Sequence, residues 1–156
     1  MIMILNDVLT KQNVLSQVIL ESDGKELSKE LKVKVMRIRM AYTKAKKAFD
    51  AEVQEFTAEL VPQELKDLNA KEEKTDADNA RIEELTNKVN SEYQEFLIQK
   101  GNEEVSSVDD NFTESEYFDI VDVNSGNNVE INGNKIKATD FLEIFYDLFV
   151  NGTNKD

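Results

Sequence analysis

Asp122, Asn124 and Gly126 follow the D-x-N-x-G spacing that opens a calcium-binding loop. An EF-hand starting at Asp122 needs a glycine at its sixth position and a bidentate glutamate at its twelfth. Those positions hold Asn127 and Gly133, so the stretch reads as turn-forming Asn, Asp and Gly. Carboxylates outnumber Lys and Arg by 32 to 19, yet no pair is marked for acid–base work, and carboxylate-rich helix faces are usually solvated. Cysteine and histidine are both absent. Their absence removes disulfides, thiolate nucleophiles, the commonest general base and the Glu-x-x-His motif of helical dimetal sites. The five glycines are scattered, so there is no phosphate loop, and no G-x-S-x-G elbow occurs. The residues predict no catalytic site, no metal and no cofactor, and hence a protein that is not an enzyme and works by contact.

Charge indicates what kind of contact. The net charge is −13, which disfavours direct nucleic-acid binding and anionic membranes. Residues 25–47 run against this, with nine Lys or Arg and two Glu. These cations are expected to pair with an acidic helix (Glu83, Glu84, Glu92, Glu95) or with an acidic patch on a neighbouring copy. Such pairs set orientation and partner choice more than stability. No apolar run reaches the roughly 20 residues of a membrane span. The first residues lack the basic start of a signal peptide, so a soluble intracellular protein is expected.

The elements that would position these residues follow from periodicity. Residues 2–5 suit a short strand or a helix entry, and Asn6 or Asp7 could cap a first helix that Gly24 stops. An apolar seam then runs through Leu31, Val35, Ile38, Tyr42, Ala45, Phe49, Val53, Phe56 and Leu60 at spacings of three and four. It predicts a helix from Lys25 to Leu60, about 54 Å long. The alternation in KVKVMRIRM (residues 32–40) also resembles a strand and marks a candidate break near Val33–Met36. Pro62 ends the helix and starts a short exposed connector. Thr75, Asp76 and Asp78 offer caps for a third helix, whose seam is Ile82, Leu85, Val89, Tyr93, Phe96 and Leu97 and which Gly101 stops. The seams of residues 31–60 and 82–97 are expected to lie face to face.

Residues 101–117 read as an acidic loop with an edge strand at Val105–Val108. Phe118, Ile120 and Val123 are assigned to a first C-terminal strand, Val129 and Ile131 to a second, and Lys135–Ala138 to a third, with Asn132-Gly133 as a tight hairpin turn. Thr139 or Asp140 then caps a terminal helix, with Asp140 and Glu143 at capping-box spacing and Gly152 at its end. The predicted class is α+β, mostly α: a long antiparallel helical hairpin, a small C-terminal antiparallel β-meander and a terminal apolar helix. It is read as one domain, with a helical part and projecting hairpin at 1–100, the loop at 101–117, and sheet plus helix at 118–150.

Two groups of residues are candidates for protein contact. Phe141, Phe145, Tyr146 and Phe149 make the terminal helix apolar on most sides. That helix is expected to plug the core, with one side left for another protein. Arg37, Arg39, Lys46 and Lys47 form the second group, on the basic helix.

The layout resembles a known family. An N-x-x-L helix (Asn6, Leu9) leads to GKELSKELKVKVMRIRMAYTKAKKAFDAEVQEF, an acidic middle, a VEIN strand and a terminal TDFLEIFYDLF helix. This order is similar to a family of small, acidic, functionally uncharacterised proteins of tailed bacteriophages. The longer connector (62–74) and the Asn-rich hairpin depart from it. The resemblance implies a phage virion or bacterial host cytoplasm, and a virion or assembly component binding other phage structural proteins or copies of itself. The alternative is an acidic charge mimic that inhibits a basic host protein of nucleic-acid binding or defence.

Overall fold

A computed structural model describes residues 2–106 and 108–151. Six helices and small antiparallel sheets make the chain α+β and mostly α, at 69% helix. In order the elements are β1 (Ile2–Ile4), α1 (Leu5–Ser16), β2 (Glu21–Ser22), β3 (Lys25–Glu26), α2 (Lys29–Leu60), α3 (Gln63–Ala70) and α4 (Asp76–Gly101). They continue with β4 (Glu104–Ser106), α5 (Glu114–Asn124), β5 (Val129–Ile131), β6 (Asn134–Ile136), α6 (Ala138–Tyr146) and a π turn (Asp147–Asn151). Among the described residues, no helix is long and apolar enough to cross a membrane.

The chain divides into two compact units, residues 1–46 with 104–156, and residues 47–103. These boundaries differ from those at 100 and 118 read from composition, because the N-terminal residues pack with the C-terminal ones. The seam of α2 is shared accordingly. Leu31, Val35, Ile38 and Tyr42 enter the core of the first unit beside Leu15, Ile120, Phe141 and Phe145. This part of the seam, expected to lie against that of residues 82–97, is thus buried in the core of its own unit. α2 is unbroken through Val33–Met36. It starts at Lys29 because Ser28 accepts the Leu31 amide at 3.2 Å.

The first unit's strands are short and paired. β1 runs antiparallel to β4, with Met3 opposite Val105. β2–β3 and β5–β6 are tight hairpins, turning at Asp23-Gly24 (φ 50° and 79°) and Asn132-Gly133 (φ 52° and 79°). Two successive positive φ values favour Asp or Asn followed by Gly, which is what each turn holds. Gly24 therefore closes a hairpin and does not stop α1, which ends at Ser16. Asn6 and Asp7 lie inside the first turn of α1 and cap nothing; its N-cap is Ile4, without a side-chain bond.

The expected C-terminal meander keeps only two strands. Phe118, Ile120 and Val123 lie on α5, which opens with a capping box between Thr113 and Glu116. Ile120, Val123 and Asn124 face the core from α5, a spacing of three and four that fits a helix better than a strand. α6 begins at Ala138, before the caps assigned to it. The Ala138 amide is taken up by Asn128 Oδ1 at 3.0 Å. Gly152, the proposed stop, lies outside the described residues.

In the second unit α4 carries a capping box between Thr75 and Asp78. Residues 47–60 of α2 run antiparallel to it, since Glu52 pairs with Lys100 and Phe56 stacks on Phe96 (ring centroids 4.1 Å, planes 4° apart). Leu65 on α3 is buried, so the connector packs on its neighbour and is not simply exposed. Arg81 grips Glu64 through two nitrogens, at 2.8 and 3.0 Å.

Candidate protein-docking face

α2 has a core side and an opposite side within the first unit. With Leu31, Val35, Ile38 and Tyr42 turned inward, the 100° step per residue sends Lys29, Val33, Met36, Arg37, Met40 and Lys44 outward along one stripe. Three of these are large apolar side chains in water: Val33 is 56% exposed, Met36 47% and Met40 69%. Isolated exposed apolar residues need no explanation, but three on successive turns of one helix form a patch. A shallow depression of about 500 Å³ lies beside it, lined by Lys29, Glu30, Val33, Lys34 and Arg37.

The cations around the patch divide into paired and unpaired ones. Lys25 pairs with Asp122 at 2.9 Å, Lys32 with Glu26 at 2.6 Å and Lys34 with Glu116 at 2.9 Å. None of these is one of the α4 carboxylates expected from sequence; Glu84, for instance, pairs with Arg81. Lys29, Arg37 and Lys44 are exposed and make no ion pair among the described residues. An apolar strip with three free cations at its edges is the complement of an apolar strip with carboxylates at its edges.

The predicted contact residues fare unequally. Phe141, Phe145 and Phe149 are each 0% exposed, which removes them from any surface. Phe145 and Phe149 form an aromatic cluster with Phe112, whose ring lies 5.3 Å from Phe145 and 5.9 Å from Phe149. Tyr146 is half-buried, edge-on to Tyr117, and donates to Glu114 at 3.1 Å. The terminal helix is thus the core plug. Arg37 is on the stripe, whereas Arg39 points inward and donates to the Leu15 and Val18 carbonyls at 3.1 and 2.6 Å. It satisfies the open C-terminal end of α1. Burial lowers the Arg39 pKa from its ordinary value. Lys46 is exposed and has an interaction of its own, and Lys47 is exposed in the second unit.

Behind the stripe the core is pinned by buried polar groups. Asp110, 0% exposed, accepts from Lys11 Nζ at 2.8 Å and from the Tyr42 hydroxyl at 2.5 Å, both on Oδ2. Burial, then the bond to Asp110, raises the Tyr42 pKa far above the ordinary phenol value. Asn124 ties α5 to the chain after α1: its Oδ1 accepts the Ile19 amide at 2.9 Å and its Nδ2 donates to the Ile19 and Ile120 carbonyls. Asn124 belongs to the apparent calcium motif, and its turned-in amide shows what that position does here.

Val33, Met36 and Met40 were not singled out from sequence, although the seam at 31, 35, 38 and 42 fixes them on the opposite face. Phe118, 63% exposed on α5, was hidden by its assignment to a strand. The Thr113-x-x-Glu116 box was the available signal. Comparison with family models, with curated proteins and with solved structures finds no match for this chain.

Proposed function

We propose that the protein is a non-enzymatic adaptor, a structural or assembly component of a tailed phage, that receives a partner subunit on the outer face of α2. The observation that carries this reading is the stripe itself: Val33, Met36 and Met40 exposed in line, with Lys29, Arg37 and Lys44 unpaired around them. Covering such a strip removes apolar surface from water, which is the main favourable term in association. Methionine suits a surface that must adapt to its partner, being unbranched and polarizable. The cations select an acidic amphipathic segment and repel a basic one.

The test uses the full chain with a photo-activatable residue at position 40, produced during phage growth, and mass spectrometry of purified particles. Stoichiometric presence in the particle, with crosslinks from position 40 to a phage structural protein and none from the exposed Glu143, is the expected result. Absence from particles, or crosslinking of equal yield from both positions, overturns the reading.

A further inference from the structure

The first unit carries a second exposed feature with the opposite chemistry. On α5 the core side holds Ile120, Val123 and Asn124, so the 100° step turns Phe118 directly outward, with Glu114, Ser115 and Asp122 around it and Asp119 further to one side. Phe118 is 63% exposed. An aromatic ring ringed by carboxylates is the counterpart of the α2 stripe, where methionines and a valine are ringed by cations.

We propose that the occupant of the α2 stripe is the Phe118 face of α5 from a second copy of this chain. The inference rests on the reading of the stripe as a docking face and names what docks there. Charge sign and apolar content match on both sides: Lys29, Arg37 and Lys44 meet Glu114 and Asp119, with Asp122, already paired with Lys25 at 2.9 Å, beside them, while Phe118 lies on Met36 and Met40. The alternative self-pairing, stripe on stripe, would set like cations against one another and is disfavoured by the same Coulomb terms. Phenylalanine against methionine also gives the sulfur–aromatic contact that thioethers favour. Because each copy carries both faces, the pairing extends head-to-tail or closes on itself. The ring supplies the buried anchor and the charges supply register and encounter rate.

Sedimentation equilibrium on the full chain, over a concentration series reaching the millimolar range, tests this with two variants at exposed positions, Met40→Asp and Phe118→Asp. Wild-type protein is expected to associate, more weakly as salt rises. Each variant alone should associate at least about tenfold more weakly, consistent with loss of an interface anchor. The decisive sample is an equimolar mixture, in which the intact stripe of one variant meets the intact α5 face of the other. It should form a one-to-one dimer that neither variant forms alone. A wild-type monomer throughout the series overturns the inference, as does a mixture that stays monomeric while wild type associates. A variant that associates as wild type does also overturns it. A monomer whose position 40 still crosslinks to another phage protein would sink self-docking while leaving the adaptor reading intact; failure of that crosslink would sink the adaptor reading by itself.

Discussion

Lys11→Met and Asp110→Asn each break the same buried ion pair, and they should not cost the same. Asp110 is 0% exposed, and its side chain is held only on Oδ2, by Lys11 and Tyr42; Oδ1 has no partner. Removing Lys11 therefore leaves a carboxylate sealed from water with one hydroxyl donor. Loss of one partner from a buried pair costs about 3–5 kcal/mol, and Lys11→Met should fall in that range. Asp110→Asn is different. Its amide oxygen still accepts from Tyr42, and the stranded lysine, 10% exposed at its side chain, can swing its ammonium toward solvent along its flexible stem. About 1–3 kcal/mol is expected, the usual range for a buried polar group left short of its bond. In the double variant no charge is left, so its cost should be less than the sum of the two. Urea unfolding followed by tyrosine near-UV circular dichroism, in a Tyr93→Phe background, reads the right region, since the other three of the four tyrosines, Tyr42, Tyr117 and Tyr146, lie in the first unit. With a slope of about 2 kcal/mol per molar urea, Lys11→Met should lower the midpoint by roughly 2 M. Equal costs for the two single variants, or strictly additive costs in the double, would refute the burial argument.

Arg39→Ala removes both bonds to the end of α1 and should cost about 1–3 kcal/mol, whereas Arg37→Ala, two residues away on the exposed side, should stay within about 0.5 kcal/mol; thermal melts of the pair check it. Asn124→Ala leaves the Ile19 amide without an acceptor and should cost about 2–3 kcal/mol, with faster hydrogen exchange at Ile19 as its local signature. Glu116 supplies a pH dependence: burial opposes its charge, but the Thr113 amide and the Lys34 ammonium outweigh that and hold its carboxyl below the ordinary 4.5. A depressed folded pKa means its contribution is complete above that value and is lost as pH falls through the folded one. Glu116→Gln should be less stable than wild type at neutral pH and should lose less than wild type on acidification, as unfolding midpoints across that window would show.

Local chemistry made much of this fold readable in advance. Asn132-Gly133 dictates a turn with two positive φ values whatever surrounds it, and the turn is there. Thr75 with Asp78, the stop at Gly101 and the break at Pro62 act within one helical turn, so helices α3 and α4 were expected near their observed ends. The seam from Leu31 to Tyr42 needs only a period of 3.6 residues to announce a buried face. What sequence could not supply was the identity of each face's neighbour. An apolar stripe has no intrinsic preference between α4 and the cluster of α1, α5 and α6. Burial is non-directional, and the choice rests on which surfaces the whole chain brings together. The same holds for charge. Arg37 and Arg39 are chemically alike and two residues apart, yet one faces water and the other closes α1. Only the packed structure sets what covers each flank of α2, and with it which cations remain free to bind.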